Sequence, residues 1–337
     1  VTTQAFPIES INACPICQHP EARFVAHYPE PHLEIGVTLN QCLGCSVVYQ
    51  NPRLSLAGIH MLEDQSDVYD YDAEQQAQAV DDRDEIIAWL ETMTNLKPRS
   101  ILDVGCNRGY LLAAAARRGW RPSGVELSLV SAAAARERFG FPIYPNLEAL
   151  PEGQLYDLIT CWHVVEHLHQ PVQMLQQLYD LLTPDGVLAI QVPAYSFADE
   201  YLRRGHSLHI FCASHPVHYT AETLTMVLEK AGFEVLYSDE STEYLFLTIY
   251  AAKPSRNAQS RHNAELQAQL EQTSQKLAWF EADHAEIAKQ LQSMNHYIRR
   301  LEATLEVKNQ YLEHLEQRLN AVNNGRAMRM LNKLKRS

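Results

Sequence analysis

The chain has 337 residues, 46% hydrophobic and 20% charged, with a formal net charge of −13. That length holds two or three units, one large enough for a full core, and the acidic balance excludes a general nucleic-acid binder, which needs a basic face. No apolar run approaches the roughly 18 residues of a membrane span, and the opening VTTQAFPIES carries neither a charged nor an apolar leader pattern, so a reducing, cytoplasmic location is expected.

Residues 1–55 are punctuated by cysteine. Of seven cysteines, four fall in the pairs Cys14-Pro-Ile-Cys17 and Cys42-Leu-Gly-Cys45. Each C-x-x-C knuckle sets two thiolates on one side of a tight turn, and two knuckles complete a tetrahedral S₄ site. The spacing is that of a metal site rather than a disulfide framework. Cys14, Cys17, Cys42 and Cys45 are therefore expected to hold a structural Zn²⁺ in a zinc ribbon. The closed site leaves no open position for chemistry and holds a segment too short for its own core. Acidic flanks (Glu21, Glu30, Glu34) speak against nucleic-acid contact. Cys106, Cys161 and Cys212 lack paired spacing and read as small buried residues.

Residues 56–98 read as connecting helices, notably Ala79–Thr94. From 99 to 255, strands and helices alternate, the pattern of a doubly wound α/β sheet. The segment SILDVGCNRGYLLAAAARRGWRPSGVE (100–126) contains a strand (Ser100–Val104), a turn through Gly105 and Gly109, a helix (Tyr110–Arg118), a second strand (Pro122–Val125) and Glu126. This is a nucleoside-binding half-sheet. Gly105 and Gly109 let the backbone turn and press against a ligand, and the Glu126 carboxylate can accept both hydroxyl protons of a ribose. Asp103 makes the turn D-x-G-x-x-x-G. A carboxylate there repels a pyrophosphate but suits an ammonium or sulfonium, which points to S-adenosylmethionine (SAM) rather than NAD.

Tyr156–Pro193, YDLITCWHVVEHLHQPVQMLQQLYDLLTPDGVLAIQVP, reads as strand, helix, turn and buried strand. Within it His163, Glu166 and Glu166's neighbour His167 stand at i, i+3 and i+4, which would place them on one helical face and is also an inverted zincin spacing. The insert Tyr195–Thr220 holds His206, His209, His215 and His218. Two readings stand for it: His209, His215 or His218 serves as a catalytic base for a hydroxyl acceptor, or His218 packs behind Thr220, the expected N-cap of the next helix, with Thr223 at the capping-box position.

Beyond the linker at Pro254, alternating 4- and 3-residue steps from Leu266 to Val322 give about eight heptads, a left-handed coiled coil of roughly 85 Å over residues 258–323. The expected state is a homo-oligomer, with dimer and trimer both open. Residues 324–337 carry five basic residues among Met328, Met330, Leu331 and Leu334. They read either as a tail lying on an anionic membrane at its inner face or a partner's acidic patch, or as a solvated terminus.

Cys14–Pro52, Ile101–Gly109 and Tyr156–Pro193 together resemble class I SAM-dependent methyltransferases with an N-terminal zinc ribbon, over about Cys14 to Ala252. The resemblance implies a Rossmann-like, doubly wound, seven-stranded sheet over residues 99–255. It places Trp162, His163 and His167 against the methionine and adenosine, with Leu127 beside Glu126. It gives Asn146, followed by Leu147, the role of the adenine-amine acceptor, commonly Asp. Asn107 departs from the family's middle glycine, and a side chain there is expected to narrow the turn or add a polar contact. Tyr69-Asp70-Tyr71 resembles the segment that closes over the cofactor. Some similar methyltransferases of quinones and RNA ends hold a divalent cation through an acid-rich version of the 163–167 segment. The family at hand carries Glu-His without one, and Glu166 is expected as an acid at a helix start. The implied activity is O-methylation of a sugar hydroxyl in glycan assembly, with a sugar or glycan as partner and no nucleic acid. The alternatives are C- or O-methylation of a keto-sugar or phenol, or a coiled-coil scaffold. Relatives that methylate carbon carry a Tyr-His-Glu-His run that this chain lacks.

Overall fold

From its N-terminus the chain folds into β1 (Ile8–Glu9), β2 (Ala22–Tyr28), β3 (Val37–Cys42), β4 (Val48–Gln50), β5 (Arg53–Leu54), α1 (Leu56–Gln65) and α2 (Ala73–Thr94). This is a computed structural model, and it describes residues 6–29, 36–65, 73–205, 210–242 and 244–254. The heptads and basic tail lie outside the described residues, as do Tyr69, Asp70, Tyr71, His206 and His209. Among the described residues no helix is long and apolar enough to cross a membrane.

The alternating region then gives β6 (Ser100–Val104), α3 (Tyr110–Arg117), β7 (Arg121–Val125), α4 (Leu129–Phe139), β8 (Ile143–Tyr144), β9 (Tyr156–Trp162), α5 (Pro171–Leu181), β10 (Leu182–Pro193), α6 (Ala198–Arg203), β11 (Val217–His218), α7 (Ala221–Lys230), β12 (Glu234–Glu240) and β13 (Phe246–Ala252). Seven strands form the expected sheet in the order β12-β13-β10-β9-β6-β7-β8. The strands β10, β9, β6, β7 and β8 are parallel, and β13 is antiparallel to β10 and β12. Every residue of β6 is buried, as a central strand covered on both faces must be. The strand order reverses between β6 and β9, so their carboxyl ends open a crevice at the point where α/β sheets bind ligands.

Local chemistry sets the helix ends. Ser128 caps α4, accepting from Ser131 N at 3.3 Å, and Gly140 closes it at φ 71°. The expected capping box of α7 is present with threonine in the acid's place. Thr220 N donates to Thr223 Oγ1 (2.9 Å) and Thr223 N donates to Thr220 Oγ1 (3.3 Å). The expectation of one helical face through residues 163–167 is corrected. His163 has φ +54°, only Val165–His167 form a 3₁₀ turn, and α5 begins at Pro171, whose fixed φ suits a first helical position.

The cysteine region is not a separate lobe. Its sheet has the order β11-β4-β3-β2, and the outer strand β11 comes from the histidine-rich insert, with Val217 opposite Tyr49 and His218 opposite Val48. Gln50 Nε2 donates to Cys212 O (2.7 Å), and Tyr28 stacks on Phe211 with centroids 4.3 Å apart. Cys14, Cys42 and Tyr49 share one buried cluster with Ile159, Val165 and Tyr219 of the larger domain.

Candidate functional site

The glycine turn sits at the carboxyl end of β6. Gly105, Asn107 and Gly109 all adopt left-handed backbone conformations (φ 76°, 49° and 78°). A Cβ on Gly105 would stand 2.5 Å from Val164 Cγ2, so the turn needs glycine there for space as well as for φ. Asn107 fits because a short amide side chain tolerates this region better than most. Its N–H donates to Glu126 Oε2 (2.7 Å), while Ser128 N donates to Glu126 Oε1 (2.8 Å). Glu126 thus clamps the turn to the end of β7. Each carboxylate oxygen keeps a second lone pair for a ligand hydroxyl.

Asp103 lies beneath this turn. Thr160 Oγ1 donates to its Oδ1 at 2.7 Å, across the register that pairs the two residues. Burial pushes its carboxyl up to about 7 despite that hydrogen bond, and the nearby Glu126 adds to the rise. The sequence suggested an anion presented at the turn. The group is instead buried, 4% exposed, and does not line the cavity above it.

That cavity, about 450 Å³, lies over the crevice, a size suited to a small ligand. Eight of the residues expected around the cofactor line it: Gly105, Asn107, Glu126, Leu127, Asn146, Leu147, His163 and His167. Asp103, Gly109 and Trp162 do not. Trp162 packs instead against the cluster containing Ala79 and Tyr110. Asn146 Oδ1 already accepts from Ala149 N (2.9 Å), capping a 3₁₀ turn, which leaves one lone pair for an adenine amine. Leu56 and Ile59 of α1, Leu168, His169 and Met174 also line this cavity, which sequence reasoning did not anticipate. Leu56 and Ile59 lie outside every motif and arrive there only through the packing of α1, whereas Leu168, His169 and Met174 belong to the Tyr156–Pro193 segment, in the turn before α5 and in α5 itself.

The insert histidines stand elsewhere. His215 is buried, its Nδ1 is 3.1 Å from Ile210 O, and burial with neighbouring His167 holds its imidazole well below the usual range. His218 is buried in β11, and burial pushes it down to about 3. Neither lines the cavity, so the expected base role finds no geometric support at either. The His218 reading as a packed residue behind the α7 cap fits its burial. Tyr219 from the same segment is also buried, its hydroxyl donating to Val165 O (3.4 Å).

The four paired cysteines converge. Cys14 and Cys45 Sγ are 3.6 Å apart, Cys17 and Cys42 Sγ 3.4 Å, and all four sulfurs lie within 4.8 Å of one another. Ile16 N and Gly44 N point at Cys14 and Cys42 Sγ (3.4 and 3.3 Å), the donors a pair of thiolates would need.

Residues 71–238 match the model of the family described as a methyltransferase domain. The ubiquinone biosynthesis O-methyltransferase of Paracidovorax citrulli (strain AAC00-1) is 31% identical over 109 residues, covering 30% of this chain and 46% of the relative. The enzyme of the same name from Actinobacillus pleuropneumoniae serotype 5b (strain L20) is 33% identical over 102 residues, 27% of this chain and 44% of the relative. The chain thus spans less than half the length of these relatives. Among solved structures, the magnesium protoporphyrin IX methyltransferase of Synechocystis PCC 6803, with bound S-adenosylhomocysteine (SAH), is 18% identical with a TM-score of 0.42, covering 59% of this chain and 95% of that one. The segment from residue 71 to residue 238 belongs to the class I SAM-dependent methyltransferases.

Proposed function

We propose that the chain transfers a methyl group from SAM to a hydroxyl oxygen of a small, largely apolar acceptor of the phenol class. The observation that carries this reading is the single cavity in which the Glu126-clamped turn meets the apolar side chains Leu56, Ile59, Leu168 and Met174. Against these four side chains the hydroxyls of a polyhydroxylated sugar would stand unpaired, whereas an aromatic ring gains from them. The relatives' names favour the same alternative over the sugar hydroxyl, whose support came from the resemblance together with the heptads and tail.

SAM, when bound, supplies an electrophilic methyl carbon. Glu126 holds the ribose hydroxyls, Asn146 accepts from the adenine amine, and the turn's backbone closes against the ligand. What is left to the chain is to align an acceptor oxygen and receive its proton. Calorimetric titration with SAH, followed by transfer of labelled methyl from SAM to catechol with glucose as the sugar control, tests the reading. SAH binding weaker than about 1 mM sinks the enzyme claim, and transfer to glucose but not to catechol sinks the phenol claim.

The cysteine quartet supports a structural Zn²⁺. Tetrahedral bonds of about 2.3 Å put sulfurs about 3.8 Å apart, close to the 3.4 and 3.6 Å separations of the two measured pairs. The heptads of residues 258–323 support self-association. A chain ending at Pro254 that keeps the subunit number of the full chain in light scattering would remove that role.

A further inference from the structure

We propose that His163, oriented by Glu166, is the general base that takes the proton of the acceptor hydroxyl, an inference that rests on the methyltransferase reading above.

Glu166 poses the problem that this arrangement answers. It is 2% exposed, and neither carboxylate oxygen has a hydrogen-bond donor among the described residues. A buried carboxylate in that condition is costly and calls for a partner. Two of its three neighbouring imidazoles cannot serve while neutral. His167 Nδ1 is 2.8 Å from Ser214 O and His215 Nδ1 is 3.1 Å from Ile210 O. Each must therefore carry its hydrogen on Nδ1 and present only an Nε2 lone pair elsewhere. The third is His163, whose Nδ1 stands 3.3 Å from Glu166 Oε1. This is within ion-pair reach but not aligned as a hydrogen bond, a looseness common at catalytic pairs without substrate.

The ring of His163 is held in place yet left open to the cavity. Its backbone sits at φ +54°, a left-handed conformation uncommon outside glycine though less so for histidine than for most residues. Its N–H is fixed to Gln191 O (2.8 Å), and its ring meets Phe246 edge-on with centroids 4.6 Å apart. The side chain is nevertheless 39% exposed and lines the cavity. With the Nδ1 hydrogen directed to Glu166, the lone pair is on Nε2, at the other edge of the ring. Of the other cavity-lining histidines among the described residues, His169 is tied through Nε2 to Leu54 O at 2.8 Å, and His167 is oriented through Nδ1 by a neutral carbonyl, Ser214 O, rather than by a carboxylate.

The step balances without further reagents. The acceptor's O–H bond breaks and its proton passes to His163 Nε2. The oxygen pair forms the C–O bond to the methyl carbon as that carbon's bond to sulfur breaks, and sulfur keeps the pair, leaving SAH. The Glu166 carboxylate faces the imidazolium so formed, and the proton leaves to solvent when the methyl ether departs. His163 is the catalytic residue and Glu166 its positioning residue, the division of labour known from carboxylate–imidazole pairs.

The test needs no acceptor at its first stage. In the full chain labelled with ¹⁵N-histidine, long-range ¹H–¹⁵N correlation should find His163 as the Nδ1–H tautomer, its signals assigned by their loss in His163→Asn. Glu166→Leu should shift it to Nε2–H with SAH affinity within about threefold of wild type. On catechol, His163→Asn should lower kcat about 10²- to 10³-fold, with a smaller effect on KM, and recover in part with added imidazole. Should Glu166→Leu fail to fold, Glu166→Gln retains the acceptor atom without the charge, and it should lower kcat at unchanged SAH affinity. An Nε2–H tautomer in the wild type, or full kcat in His163→Asn, overturns the proposal while SAH binding leaves the methyltransferase reading standing. Failure of the wild type to bind SAH removes both. Co²⁺ that binds outside the cysteine site, with a visible band lacking thiolate charge transfer and lost in Glu166→Gln, would seat a cation between Glu166, His167 and His215, whose ligand atoms lie within 4.8 Å, and would also overturn it.

Discussion

Replacing Asp103 with asparagine isolates the cost of a buried carboxylate under the cofactor turn. Asparagine keeps the size and retains an Oδ1 to accept the Thr160 hydroxyl bond of 2.7 Å. Burial holds the Asp103 carboxyl at about 7 instead of 3.8. At 1.36 kcal/mol per tenfold change, an ionised Asp103 costs the folded protein about 4 kcal/mol. The sign follows from linkage. Between the two values the folded protein keeps a proton that the unfolded chain has released, so stability falls as pH rises through that window and levels off above about 7. The asparagine variant has no such proton. Its stability relative to wild type should therefore rise by about 3 kcal/mol from pH 5 to pH 8. Urea unfolding of both proteins at the two pH values measures this, and taking the difference cancels the titrations they share. A difference that stays constant to within about 0.5 kcal/mol refutes the reasoning, because the proton would then not belong to Asp103.

Three further outcomes are expected. Glu126→Ala removes two charge-assisted bonds to Asn107 N and Ser128 N and releases the turn, so SAH should bind at least about tenfold more weakly by calorimetry. Gly105→Ala puts a methyl 2.5 Å from Val164 Cγ2 at φ +76°, and it should abolish SAH binding while the far-ultraviolet circular dichroism of the sheet persists. Cys17→Ser should lower the zinc released by a thiol-reactive agent to background and reduce the midpoint of thermal unfolding, since a structural metal's binding energy is folding energy; unchanged zinc content would exclude the quartet as its ligands.

Much of the site was legible because its signals are local. Ser100–Val104, the glycines and Glu126 lie within one strand–turn–helix–strand unit whose geometry is set by short-range backbone rules, and β6 has the predicted bounds. Asn107 was read as a departure, and its left-handed φ with the bond to Glu126 explains why an asparagine is accepted there. What the sequence could not give were side chains brought together over long separations. His215 and His218 stayed open between a base and a packed residue because nothing local reveals that their segment adds a strand to a sheet begun at residue 22. His163 was placed beside the cofactor, but its relation to Glu166 depends on a left-handed residue that the helical spacing concealed. Leu56 and Ile59 carry no motif, and only tertiary packing brings them to the cavity.

The pairing of β11 with β4 sets an order of events during synthesis. Strand β4 is complete at residue 50, but its partner emerges only with residue 218, after β6, β7, β8, β9 and β10 have all left the ribosome. The cysteine knuckles can close early on a nascent chain, yet the sheet they anchor stays one strand short until the catalytic domain is nearly finished. A fragment carrying residues 1–98 alone therefore lacks its fourth strand.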